Sequence, residues 1–130
     1  MSAAPLALRL GALLGGTGVA LGAFAAHGLR ARLAPDRLAI FETGARYQLV
    51  HAVALVALAA LLARVDPQSP AAAWLVRAAW CWAFGCLAFS GSLYLLAATG
   101  TRWFGAITPL GGVSFIAGWL FTFVAAAKLP

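Results

Sequence analysis

Hydrophobic positions run along this chain in four long blocks, each closed off by an arginine or lysine. Between Arg9 and Arg30 lie twenty uncharged residues, between Arg46 and Arg64 seventeen, between Arg77 and Arg102 twenty-four, and between Arg102 and Lys128 twenty-five. A helix needs about 20 apolar residues to cross the hydrocarbon core of a bilayer. The blocks predict four spans, about 8–28, 46–63, 77–98 and 108–127. The fold class is therefore all-α: a single polytopic domain over 1–130, built as a bundle of four transmembrane helices.

The connections differ in character. Residues 29–46 are the most polar stretch; Asp36 after Pro35 is placed to cap a helix, and Leu38, Phe41 and Ala45 share one face of it. Glu42 and Arg46 stand one turn apart on its polar side. The pattern predicts a short interfacial helix leading into span two. The second connection, 64–76, is broken by Pro67 and Pro70. The third mixes Trp103 and Phe104 with Pro109, Gly111 and Gly112, and reads as an irregular interfacial segment. Arg9, the apolar run after it and Ala23-Phe24-Ala25 together resemble a secretory leader. The glycine pattern of the same span favours a retained, packed helix.

That pattern is Gly11, Gly15, Gly18 and Gly22, spaced four, three and four, which puts all four on one seam with Ala25 or Ala26. Lipid offers no hydrophobic drive for helix association, so close backbone approach through small residues matters instead. Span three carries Cys81, Gly85, Ala88 and Ser92, and span four Gly111 and Gly118 with Ser114 beside them. These seams predict a tightly packed bundle. Gly16-Thr17-Gly18 followed by Gly22 imitates a nucleotide-binding turn, but it lies in mid-span rather than between a strand and a helix start.

Composition agrees with a lipid environment: 64% of residues are hydrophobic and 9% charged, against about 45–50% and 25% in soluble domains. The net charge of +6 comes from cations placed singly at span ends, where they meet headgroups. This placement excludes nucleic acid as a partner and leaves the bilayer, a second copy or another membrane protein. The basic residues hardly fix orientation. Arg9, Arg64, Arg77 and Lys128 fall on one side and Arg30, Arg32, Arg37, Arg46 and Arg102 on the other, a slight lean toward cytoplasmic first and third connections. Near balance also permits insertion in both orientations. Cys81 and Cys86 stand roughly 140° apart around a helix and are read as inert thiols.

Candidate chemistry is sparse. His27 and His51, counted from Arg30 and Arg46, fall at similar depth near the same membrane face. Two antiparallel neighbours can then present a bis-imidazole site for haem or a metal. The competing reading leaves each ring at the interface, with Tyr47 and Gln48 satisfying His51 locally. Two ligands alone are thin support, so neither cofactor nor metal is expected. Glu42 is the acid nearest a membrane boundary, and none of the spans carries a mid-depth carboxylate. That argues against proton-coupled antiport. Ser90, Ser92, Tyr94 and Thr99 can bond between helices, and the five tryptophans fit interfacial belts. There is no paired-carboxylate set, nucleophile elbow or zinc-protease signature. Any site is expected on the first-connection face, built from Glu42, Arg46, Tyr47, Gln48, His51 and His27, with Thr108 and Pro109 closing over it.

Four segments in order, GAFAAHGL (22–29), FETGARYQLVHAVAL (41–55), FSGSLYLLAATG (89–100) and ITPLGGVSFIAGW (107–119), resemble the YgdD/YwdK-like family of small membrane proteins. That family also includes the eukaryotic transmembrane protein 256. The resemblance covers nearly the whole chain. It implies a four-span helical protein of the bacterial plasma (inner) membrane, or a mitochondrial counterpart, of unknown function. It implies no catalytic residues, but His27, Glu42, Tyr47, Gln48, His51, Ser92, Tyr94, Thr108 and Pro109 lie within its motifs. Three functions follow as expectations: an assembly or accessory factor working through helix contacts, a small oligomeric transporter or channel, and a haem or quinone protein using His27 and His51.

Overall fold

The computed structural model describes residues 2–129. Four helices are each long and apolar enough to cross a membrane: α1 (Ala3–Leu29), α2 (Pro35–Leu62), α3 (Pro70–Thr99) and α4 (Trp103–Ala126). Their starts obey local rules. Pro35 and Pro70 open α2 and α3, where a missing N–H costs nothing. The Ser69 hydroxyl accepts a hydrogen bond from the Ala72 N–H at 3.1 Å. At its far end α3 stops on Gly100, which takes φ +71°, a left-handed conformation that glycine adopts without strain. Arg37 Nε donates to the Ala97 carbonyl there at 2.8 Å, placing a cation at the negative end of the helix.

The helices extend beyond the charge-bounded blocks. The turns marked by the sequence as an interfacial helix are the first turns of α2, which continues unbroken through Arg46. The expected irregular third connection is likewise helical, because α4 begins at Trp103 and runs straight through Pro109. In lipid an unpaired backbone group costs several kcal/mol, so continuing a helix is cheaper than looping it. A long arginine side chain can meanwhile snorkel to the interface. Arg46 is exposed on α2 and does not mark where that helix starts.

Two antiparallel hairpins make the bundle. α1 lies on α2, α3 lies on α4, and the hairpins join mainly through α2 and α3. Glycine sets both close contacts. A Cβ on Gly11 would lie 2.9 Å from Val56 Cγ2 and 3.0 Å from the Ala52 carbonyl, and one on Gly18 2.9 Å from Leu49 Cδ2. In the second hairpin Gly85 receives the Phe115 ring, Gly111 the backbone of Phe89, and Gly118 the Trp82 indole. The seam read in span one is only partly used: a Cβ on Gly15 would touch only Ala52 Cβ, at 3.8 Å, and Gly22 has nothing within 4 Å. In span three Gly85 is buried, while Ala88 is only half-buried. The main core joins Leu55, Leu58 and Leu62 of α2 to Leu75, Ala78 and Trp82 of α3, with Phe115 of α4. Trp82 is therefore interior, not part of an interfacial belt; Trp80 and Trp103 remain exposed.

Candidate functional site

The buried polar residues are Gln48 and His51 in the middle of α2 and Ser90 and Ser92 in α3, among the described residues. Gln48 and His51 stand three residues apart, and each is only 4% exposed. Gln48 reaches both ways across the bundle. Its amide nitrogen donates to the Leu14 carbonyl and the Thr17 hydroxyl of α1, each at 2.9 Å. Its amide oxygen accepts from the Tyr94 hydroxyl of α3 at 2.8 Å. Both amide protons are consumed, and three helices are tied at one level.

His51 is held just as fully. Its Nε2 lies 3.1 Å from the Trp119 indole nitrogen of α4. An indole can only donate, so Nε2 accepts. The Nδ1 atom lies 2.8 Å from the Tyr47 carbonyl, which can only accept, so Nδ1 carries the proton and the imidazole is neutral. The ring stacks on Phe115 with centroids 3.6 Å apart and planes 9° from parallel, and Trp82 and Trp119 stand over other sides at 6.1 and 6.0 Å. Neither nitrogen has a lone pair left over for iron or zinc.

The two histidines do not form one site. His27 is exposed in the π-helical last turn of α1. His51 sits sixteen residues into α2, about 24 Å along it. The shared level read from the flanking arginines does not hold: Gln48, three residues from His51, meets Leu14 and Thr17 of α1, ten or more residues away from His27. The expected first-connection cluster divides in the same way. Glu42, Arg46 and Tyr47 are exposed on α2 while Gln48 and His51 face inward. Tyr47 still contributes its carbonyl to His51 and its ring to Phe89, at 4.7 Å. Thr108 shares a 2.7 Å hydrogen bond with Ser92, joining α4 to α3, while Pro109 turns outward and closes over nothing polar. Among the described residues, no three His, Cys, Asp or Glu side chains gather at one place.

Other members escaped the sequence pattern. Trp119 was assigned to an interfacial belt, yet it is the partner of His51. Thr17 lay inside the glycine seam as part of a false nucleotide turn; a lone hydroxyl among glycines was the available signal. Ser114 donates to the Cys81 carbonyl at 2.7 Å. Among the described residues, two buried groups, Trp82 Nε1 and Ser90 Oγ, have no hydrogen-bond partner. Ser90 closes a π-helical turn, Cys86–Ser90, in the middle of α3.

Gln48→Leu removes three interhelical bonds and leaves the Tyr94 hydroxyl buried alone. Individual bonds of this kind average about 0.6 kcal/mol and reach about 1.7 in membrane helices. The expected loss is about 2 kcal/mol, with Tyr94→Phe costing about 1. Denaturant titration of the two variants in mixed micelles measures both.

The bundle has counterparts among known proteins. The family described as "Protein of unknown function (DUF423)" matches residues 21–112. The chain belongs to this family. Similar to it are the UPF0382 membrane protein YwdK of Bacillus subtilis, 41% identical over 121 residues (92% of this chain, 94% of YwdK), and the UPF0382 inner membrane protein YgdD of Escherichia coli K12, 40% identical over 111 residues (85% and 81%). A UPF0382 membrane protein of Staphylococcus epidermidis is 41% identical over 119 residues (92% and 93%). No solved structure matches. This DUF423 chain is thus a multi-pass protein of the inner membrane, in a family whose biochemical role is unknown. The matched region contains Gln48, His51, Tyr94 and Thr108, and stops before Trp119.

Proposed function

We propose that this protein is a non-enzymatic assembly or accessory factor that works through contacts between transmembrane helices. The carrying observation is the full engagement of the polar pair in the middle of α2. Gln48 and His51, the polar side chains buried in α2, are fully engaged, Gln48 by α1 and α3 and His51 by α4 and its own Tyr47 carbonyl, so they hold the bundle in one arrangement. A transport path needs polar groups that exchange partners with a passing solute, and a proton-coupled one needs an intramembrane carboxylate.

The outside supplies a contact face. Ala12, Gly16, Ala20 and Ala23 form an exposed small-residue stripe on α1, and Gly16 has nothing within 4 Å. Such stripes let helices of different chains approach closely. Gly16→Leu is expected to keep bundle stability within about 0.5 kcal/mol of the parent, as for surface changes generally. It is also expected to abolish recovery of an associated membrane protein or second copy when the chain is gently extracted and weighed by native mass spectrometry. Recovery of the same complex from Gly16→Leu would count against the stripe. Solute flux through protein-containing liposomes above the protein-free level would replace this reading with transport.

A further inference from the structure

At the end of the bundle bearing the chain termini and the second connection, α1 and α3 scarcely touch. A cavity of about 790 Å³ opens there between α1, α2 and α3. Its walls are apolar and small: Ala4 and Leu8 from α1, Val56 and Ala60 from α2, Ala72 and Val76 from α3. The volume falls within the roughly 300–1,000 Å³ of ordinary ligand sites.

Shape and charge narrow the occupant. Along α2 the cavity runs from Val56 to Ala63, about 10 Å at 1.5 Å per residue. A partner's spanning helix needs a groove about 30 Å long. A lipid chain descending from the interface needs only the first part of its length covered. This end also carries Arg9, Arg64, Arg77 and Lys128 against Asp66 alone. Arg64 is exposed at the mouth, between Ala63 and Val65, which both line the cavity. Arg77 follows the lining residue Val76, with its guanidinium 4.5 Å above the Trp74 ring. Asp66 is occupied locally, accepting from the Gln68 N–H at 2.9 Å.

We propose that this groove holds an acyl chain of an anionic phospholipid whose phosphate lies against Arg64. The proposal does not depend on the accessory role. The test is native mass spectrometry of the delipidated full chain, titrated with phosphatidylglycerol or with phosphatidylcholine of the same acyl composition. The first phosphatidylglycerol is expected to bind about fivefold more tightly than the first phosphatidylcholine, the effect of one near-surface cation. Arg64→Gln removes that preference. Ala60→Trp fills the groove from an exposed position and eliminates the first bound lipid of either kind. Ala63→Trp does the same from the next turn and decides the matter if Ala60→Trp misfolds. Equal affinity of the parent for both lipids overturns the proposal. So does an unchanged first bound lipid in the folded groove-filling variants, and so does a dimer in the parent that these substitutions dissociate.

Discussion

Gly111→Ala will destabilise the bundle by about 3 kcal/mol, at the upper end of the range for overpacking a close-packed contact. The added Cβ would meet Phe89 at its backbone nitrogen, with its Cβ and Cα at 2.6 and 2.7 Å. A flexible side-chain tip can move aside, but a backbone inside a helix can move only by shifting the helix. α3 would have to separate from α4, loosening the contact of Gly118 with Trp82 and of Gly85 with Phe115. Gly22→Ala is the control. Nothing lies within 4 Å of Gly22, and alanine is the better helix former by about 1 kcal/mol. Reversible unfolding in mixed micelles separates the two. Equal stability of Gly111→Ala and Gly22→Ala would mean that α3 and α4 are not as close as described.

His51→Ala is expected to cost about 3 kcal/mol, within the range for truncating a large buried side chain. It removes the ring stacked on Phe115 and opens a space bordered by Trp82 and Trp119. His51→Phe keeps an aromatic ring but cannot accept the indole proton, so Trp119 loses its partner at a cost of about 1–3 kcal/mol. A double-mutant cycle with Trp119→Phe isolates that bond, with an expected coupling of about 0.6–1.7 kcal/mol. A coupling near zero, with stability unchanged in His51→Phe, would remove the structural role and return His51 to the list of groups available for chemistry.

Such tests matter because the two histidines look alike in sequence. Each precedes or follows an arginine by a few residues, and each lies in a motif of the resemblance. Their environments are opposite: one exposed ring near a helix end, and one buried ring with both nitrogens engaged. The expectation that Gln48 would satisfy His51 locally fails for a geometric reason. Three residues apart on α2, they face different neighbours: Gln48 meets α1 and α3, while His51 meets α4. Tyr94 and Ser92 were legible as residues able to bond between helices, but their partners were not. The aromatic belt was misleading for Trp82, which is interior; Trp119 is half exposed yet turns its indole nitrogen to His51, and Trp103 stands exposed at the start of α4.

By itself the sequence determined the solvent, the helical class and the number of spans. These follow from apolar content along one dimension, because lipid permits only structures that satisfy their own backbone hydrogen bonds. It also marked small residues able to bring helices close. Only the tertiary structure decided which of those glycines are used, how deep His51 lies and which polar groups find one another. Thr17 to Gln48, Gln48 to Tyr94 and His51 to Trp119 are separated by 31, 46 and 68 residues. Their meeting depends on the rotation and register of whole helices. Those are set by side-chain contact across the bundle, and no local periodicity encodes them.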